Sequence, residues 1–136
     1  MEEYMIKEIE DKIVDAFIIK IKKERAKYEL GNIKKRRYFL WSLPRYIDKN
    51  YANKITEPIK SYLDVYNILK QHGAPDTCYV MEKDDEIDGK VADLKEAIKS
   101  KLFYGPVLIS CIHGKLAYLE EEQTIGRSDR YLLIHD

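Results

Sequence analysis

Val107–Ile112 is an almost continuous apolar run, closed by Gly105-Pro106 before it and His113-Gly114 after it. A run this short between turn formers reads as a strand. Because apolar residues fill five of its six positions, with only Ser110 polar, and do not alternate with polar ones, the strand is buried on both faces. The sheet that holds it must be covered, and helices packed on a sheet supply that cover.

Periodicity locates the other elements. Leu116–Leu119 follows the His113-Gly114 turn and returns antiparallel. Cys78–Met81 and Tyr131–Ile134 are further short strands, and aromatic-rich Tyr38–Leu43, stopped by Pro44, reads as another. Ile6, Ile9, Ile13, Phe17 and Ile21 recur at spacings of three and four until Gly31-Asn32, which predicts one long amphipathic helix over 2–30. The competing reading makes Val14–Ile21 a strand, since Ile, Val and Phe are strand formers. A second helix starts near the capping Thr56 before Pro58, carries Ile59, Tyr62, Leu63, Tyr66 and Leu69 on one face, and stops at His72–Pro75. In a third, Asp93 and Glu96 have capping-box spacing ahead of Leu94, Ala97, Ile98 and Leu102.

The expected order is α-β-α-β-α-β-β-β, an α+β (mixed α/β) fold with about five strands in one helix-covered sheet. At 136 residues the chain fits a single domain over 1–136, with helix 2–30 leading into an α+β body over 37–136.

Charge is balanced overall, 24 Lys+Arg against 24 Asp+Glu, but it is segregated along the chain. Residues 20–60 hold 13 basic and 4 acidic residues, and the acidic excess lies in residues 1–19 and 76–136. Overall neutrality excludes a histone-like polyanion coat yet leaves room for a local basic face. The basic block is interleaved with Tyr28, Tyr38, Trp41 and Tyr46. Cations that meet phosphates beside rings that stack on bases are the ingredients of a nucleic-acid surface. The candidate binding residues are Lys22, Lys23, Arg25, Lys34, Lys35, Arg36, Arg37 and Arg45. Two plainer readings compete. Cations near a helix C-terminus are favoured by its dipole, and the aromatics of Tyr38–Trp41 are good core residues.

Motifs for chemistry are sparse. Asp84, Glu86 and Asp88 alternate ahead of Gly89 like the opening of a calcium loop, but Lys95 stands where a bidentate Glu is required. Cys111 and His113 alternate on a strand, and with Arg127 and Arg130 they make a third reading, an enzyme site. Neither metal-ligand spacing nor a glycine-rich phosphate loop occurs, so no metal and no cofactor are expected. The opening Met1-Glu2-Glu3 has the wrong charge for a leader peptide, and two cysteines make no disulfide framework, which together suggest a cytoplasmic protein. The 18 Lys and 13 Glu against 2 Gln and 4 Asn follow the trend of thermophilic proteins. The leading expectation is a small non-enzymatic binding or regulatory domain that self-associates as a homo-oligomer or meets a protein partner. Nucleic-acid binding through 20–46 is its main rival, and no membrane association is expected.

Overall fold

The computed structural model describes residues 2–83, 86–122 and 129–136, with side chains from Met5 onward. Six strands form one wholly antiparallel sheet: β1 (Ala52–Lys54), β2 (Thr77–Glu82), β3 (Lys90–Asp93), β4 (Val107–Ile112), β5 (Leu116–Glu120) and β6 (Arg130–Ile134). Their order across the sheet is β1-β6-β5-β4-β2-β3. Among the described residues, five α-helices cover it: α1 (Glu2–Phe17), α2 (Lys23–Leu30), α3 (Ile33–Ser42), α4 (Tyr62–Gln71) and α5 (Leu94–Lys101).

Alternation along the strands divides the core in two. Tyr79, Met81, Leu108, Ala117, Leu119 and Leu133 pack against α1–α3. Val80, Val107, Ile109, Cys111, Tyr118 and Leu132 face the other way, against α4 and α5. The central strand β4 is thus apolar at all but Ser110 because each of its faces meets a different helical layer. No described helix is long and apolar enough to cross a membrane.

The α+β class holds, with differences in the elements. The helix expected over 2–30 stops at Phe17. There Ile18 forms a β-bridge with Ile47, Ile19 N–H donates to Tyr46 O (2.8 Å) and Asp48 N–H donates to Phe17 O (2.7 Å). Backbone partners from 46–48 replace the next helical turn, so the strand tendency of the Ile18-Ile19 pair survives as one bridge. The chain resumes as a 3-10 turn and then α2. Tyr38–Leu43, expected as a strand, is the second half of α3 and the turn after it. Asn32 caps that helix, its Oδ1 accepting from Lys34 N (3.0 Å) and Lys35 N (3.1 Å). Phe39, Leu40 and Leu43, buried at helical spacing, override the aromatic preference for strands.

Short strands β1 and β3, with one exposed edge each, have too little pattern to be read from sequence; with Tyr38–Leu43 lost from the expected five, they bring the strands among the described residues to six. Helix α4 begins after Ser61, not near Thr56. Asp64 accepts amide hydrogens from Lys60 (2.8 Å) and Ser61 (3.1 Å), and these bonds hold its carboxyl below the usual range. The Asp93 cap forms as expected, accepting from Glu96 N at 3.0 Å.

Candidate nucleic-acid interface

Helix α3 carries two stripes at the same i, i+3, i+4, i+7 spacing. Arg36, Phe39, Leu40 and Leu43 turn toward the body of the protein, while Lys34, Arg37, Tyr38 and Trp41 turn away from it. Consecutive residues lie about 100° apart around a helix, so the run Lys34-Lys35-Arg36-Arg37 is divided among different directions.

Arg36 is the inward member. Its Nε donates to Asp88 Oδ2 (2.6 Å), Nη2 to Asp88 Oδ1 (2.9 Å) and Glu10 Oε2 (2.6 Å), and Nη1 to Glu10 Oε1 (2.8 Å) and Leu30 O (3.0 Å). All five guanidinium hydrogens are thereby used. Burial works against its charge, but the bonds to Asp88 and then Glu10 outweigh it and hold its pKa above the ordinary value. The buried Tyr79 hydroxyl also donates to Glu10, and burial, followed by that carboxylate, raises its pKa. Arg36 is therefore a bolt joining α1, α3 and the segment before β3. Asp88, read as the end of a calcium-like loop, serves as its counter-ion and also accepts from Glu82 N (3.1 Å). Asp84 lies outside the described residues.

The outward stripe is wet. Tyr38 is 76% exposed and Ile33, one turn before Arg37, is 95% exposed. Trp41 is 40% exposed, with Lys83 Nζ 4.4 Å from its ring centroid. Tyr28 on α2 is exposed with Lys35 Nζ at 5.9 Å. Lys34, Arg37, Tyr38, Trp41 and Lys83 border a groove of about 410 Å³. Rings and cations alternate there, with Tyr38 largely open to solvent and Lys83 lying over the Trp41 ring.

The remaining basic candidates are distributed elsewhere. Lys22 Nζ lies over the Tyr46 ring (5.6 Å), Lys23 Nζ donates to Asp15 O (2.6 Å) and Arg25 pairs with Glu29 one helical turn on (3.1 Å). Arg45 joins Lys49 and Lys54 around a second cleft of about 450 Å³ that also contains Glu121 and Tyr131. Burial and then Asp129 push the Glu121 carboxyl above its usual range. Lys83 joins the rings of α3 from far along the chain, so only the tertiary fold could reveal it.

The residues of the enzyme reading separate. Cys111 packs on the α4–α5 face, where burial pushes its thiol up to about 12, far from a reactive thiolate. Ser110 faces the opposite layer and shares a 2.7 Å hydrogen bond with His113, whose pKa burial and Lys12 lower. Arg130 pairs through Glu120 with the Val107 end of β4, four residues from Cys111. At about 3.3 Å per strand residue that separation is about 13 Å. Arg127 lies outside the described residues. Among the described residues, no three His, Cys, Asp or Glu side chains gather in a way that could hold a metal ion.

No family model, curated protein or solved structure matches this chain.

Proposed function

We propose that the protein is a binding module whose α3 face holds a nucleic acid. The observation that carries this reading is the outward stripe of α3, where solvent-exposed Tyr38 and Trp41 stand among Lys34, Arg37 and Lys83. A cation contributes sequence-independent attraction to phosphate, and an uncovered ring offers a stacking surface to a base. The inert Cys111 thiol and the wide separation of Cys111 from Arg130 favour binding over the enzyme reading.

Titration of a labelled oligonucleotide at several salt concentrations tests the proposal. Four phosphate contacts, from Lys34, Lys35, Arg37 and Lys83, give a log–log salt slope of about −3 on a single strand. The double reversal Lys34→Glu with Arg37→Glu weakens binding and flattens that slope, and Tyr38→Ala weakens binding without changing the slope. Affinity that ignores salt, or that survives the double reversal, refutes the assignment.

Self-association is the second reading, favoured by the apolar exposure of Ile33 and of Ile21, which is 85% exposed. A second copy laid on these residues would bury them. Light scattering that gives a monomer at high protein concentration excludes this reading and leaves the first intact.

A further inference from the structure

The cleft beside Arg45 lies between the connection from α3 to β1 and the β1 end of the sheet, and strand register specifies its floor. Lys54 stands opposite Tyr131 and Tyr131 opposite Leu119, so the three sit side by side across β1, β6 and β5, on the face that carries the α1–α3 layer. Glu121, two residues beyond Leu119, keeps that orientation, because its N–H donates to Asp129 O (3.0 Å) and extends the β5–β6 pairing by one step. Glu121 and Asp129 are therefore directly opposite on one face. Burial and then this neighbour hold the Glu121 carboxyl above its usual range, against the pull of Lys49 and Lys54.

The facing wall comes from Pro44–Lys49, where the bridge to Ile18 pins Ile47. Arg45 and Lys49 line this wall and are exposed. Lys54 is committed to Asp129 at 3.3 Å, but the side chains of Arg45 and Lys49 have no hydrogen-bond or ion-pair partner among the described residues. At about 450 Å³ the cleft falls within the usual range for small-molecule sites. Two uncommitted cations call for more negative charge than one carboxylate carries, which matches a phosphate ester. Pro44, Ile47 and Leu119, with the Tyr131 ring, offer apolar surface to a flat ring. Glu121, an acceptor when ionised, suits an amine N–H. Phosphate, flat ring and exocyclic amine occur together in a nucleotide.

We infer that this cleft binds a nucleotide with an amino-bearing base, its phosphate on Arg45 and Lys49, its ring on Tyr131 and its exocyclic amine donating to Glu121. The site uses none of the outward α3 residues and does not rest on the α3 reading. A free nucleotide and a base splayed out of a single strand offer the same chemistry.

Calorimetric titration of the full chain with CMP, UMP, cytidine and inorganic phosphate tests the inference. UMP places a carbonyl where CMP has the amine, so CMP is expected to bind about tenfold more tightly, the worth of one hydrogen bond to a charged group. Cytidine and phosphate, each lacking half of the ligand, are expected to bind more weakly than CMP. Glu121→Gln brings CMP and UMP level, since an amide can accept from the amine or donate to the carbonyl. Arg45→Glu, at an exposed position, weakens CMP about tenfold and leaves cytidine unchanged, and the denaturant midpoint shows each variant folded. A thymidine pentanucleotide and its variant with a central cytosine separate the sources. A preference for the cytosine strand that Glu121→Gln removes assigns the base to a strand, and a preference confined to CMP assigns a free nucleotide. The inference is overturned by absence of CMP binding at millimolar concentration, by UMP or phosphate binding as tightly as CMP, or by unchanged CMP affinity in folded Arg45→Glu.

Discussion

Arg36 and Arg37 are adjacent and chemically identical, yet they should respond very differently to removal. In Arg36→Ala five hydrogen bonds disappear, and the carboxylates of Glu10 and Asp88, whose side chains are 7% and 10% exposed, lose their shared cation. Each keeps one strong donor, Tyr79 for Glu10 and the Glu82 amide for Asp88. Stripping the partner from a buried ion pair costs about 3–5 kcal/mol, because the remaining charge is left in a poorly solvating site. Arg36→Lys should lie between, about 2 kcal/mol down, since an ammonium has three donors and cannot grip two carboxylates in bidentate fashion. Arg37→Ala removes an exposed side chain, and exposed ion pairs contribute at most about 1 kcal/mol. Urea unfolding of the three variants, followed by Trp41 fluorescence and circular dichroism, reads these differences from midpoints at constant slope. Equal midpoints for Arg36→Ala and Arg37→Ala would show that the bolt carries no stability, and the division of α3 into inward and outward charge would fall with it.

Three further outcomes are expected. Cys78 and Cys111, each with its pKa pushed by burial up to about 12, should resist alkylation in the native protein at mildly alkaline pH and react at once in denaturant; rapid labelling of the folded chain would contradict their burial. His113, with its pKa lowered by burial and then Lys12, binds its proton more weakly folded than unfolded. Stability from this group is therefore present above the ordinary value of 6.5 and declines as pH falls below it toward the folded pKa, and His113→Asn should remove that part of the urea-midpoint pH profile. Leu69→Ala, at a fully buried position of α4, should cost about 2–5 kcal/mol, and a loss below 1 kcal/mol would mean that the α4 layer is loosely packed.

Much of the α4–α5 half of the fold was legible in advance. The apolar run of β4, its return through His113-Gly114 into β5, and the cap at Asp93 each depend on a few neighbouring residues, and local pattern is enough to specify such elements. The α1–α3 half was less legible because its decisive partners are distant. Phe17 ends α1 through backbone bonds to 46–48, and Tyr38–Leu43 turns helical because Phe39, Leu40 and Leu43 fit the first core cluster at helical spacing. In both places long-range packing overrode β-propensity, which differs by only about 1 kcal/mol across residue types.

The candidate surface divides along the same line. A basic, aromatic block over 20–46 is a property of composition and can be read without coordinates. Which of its charges face solvent is not, for that depends on the phase of α3 and on Glu10 and Asp88, carboxylates 26 and 52 residues from Arg36 in the chain. Periodicity sets the elements because it acts over a few residues. The fate of each charge is set by burial, which only the assembled layers define.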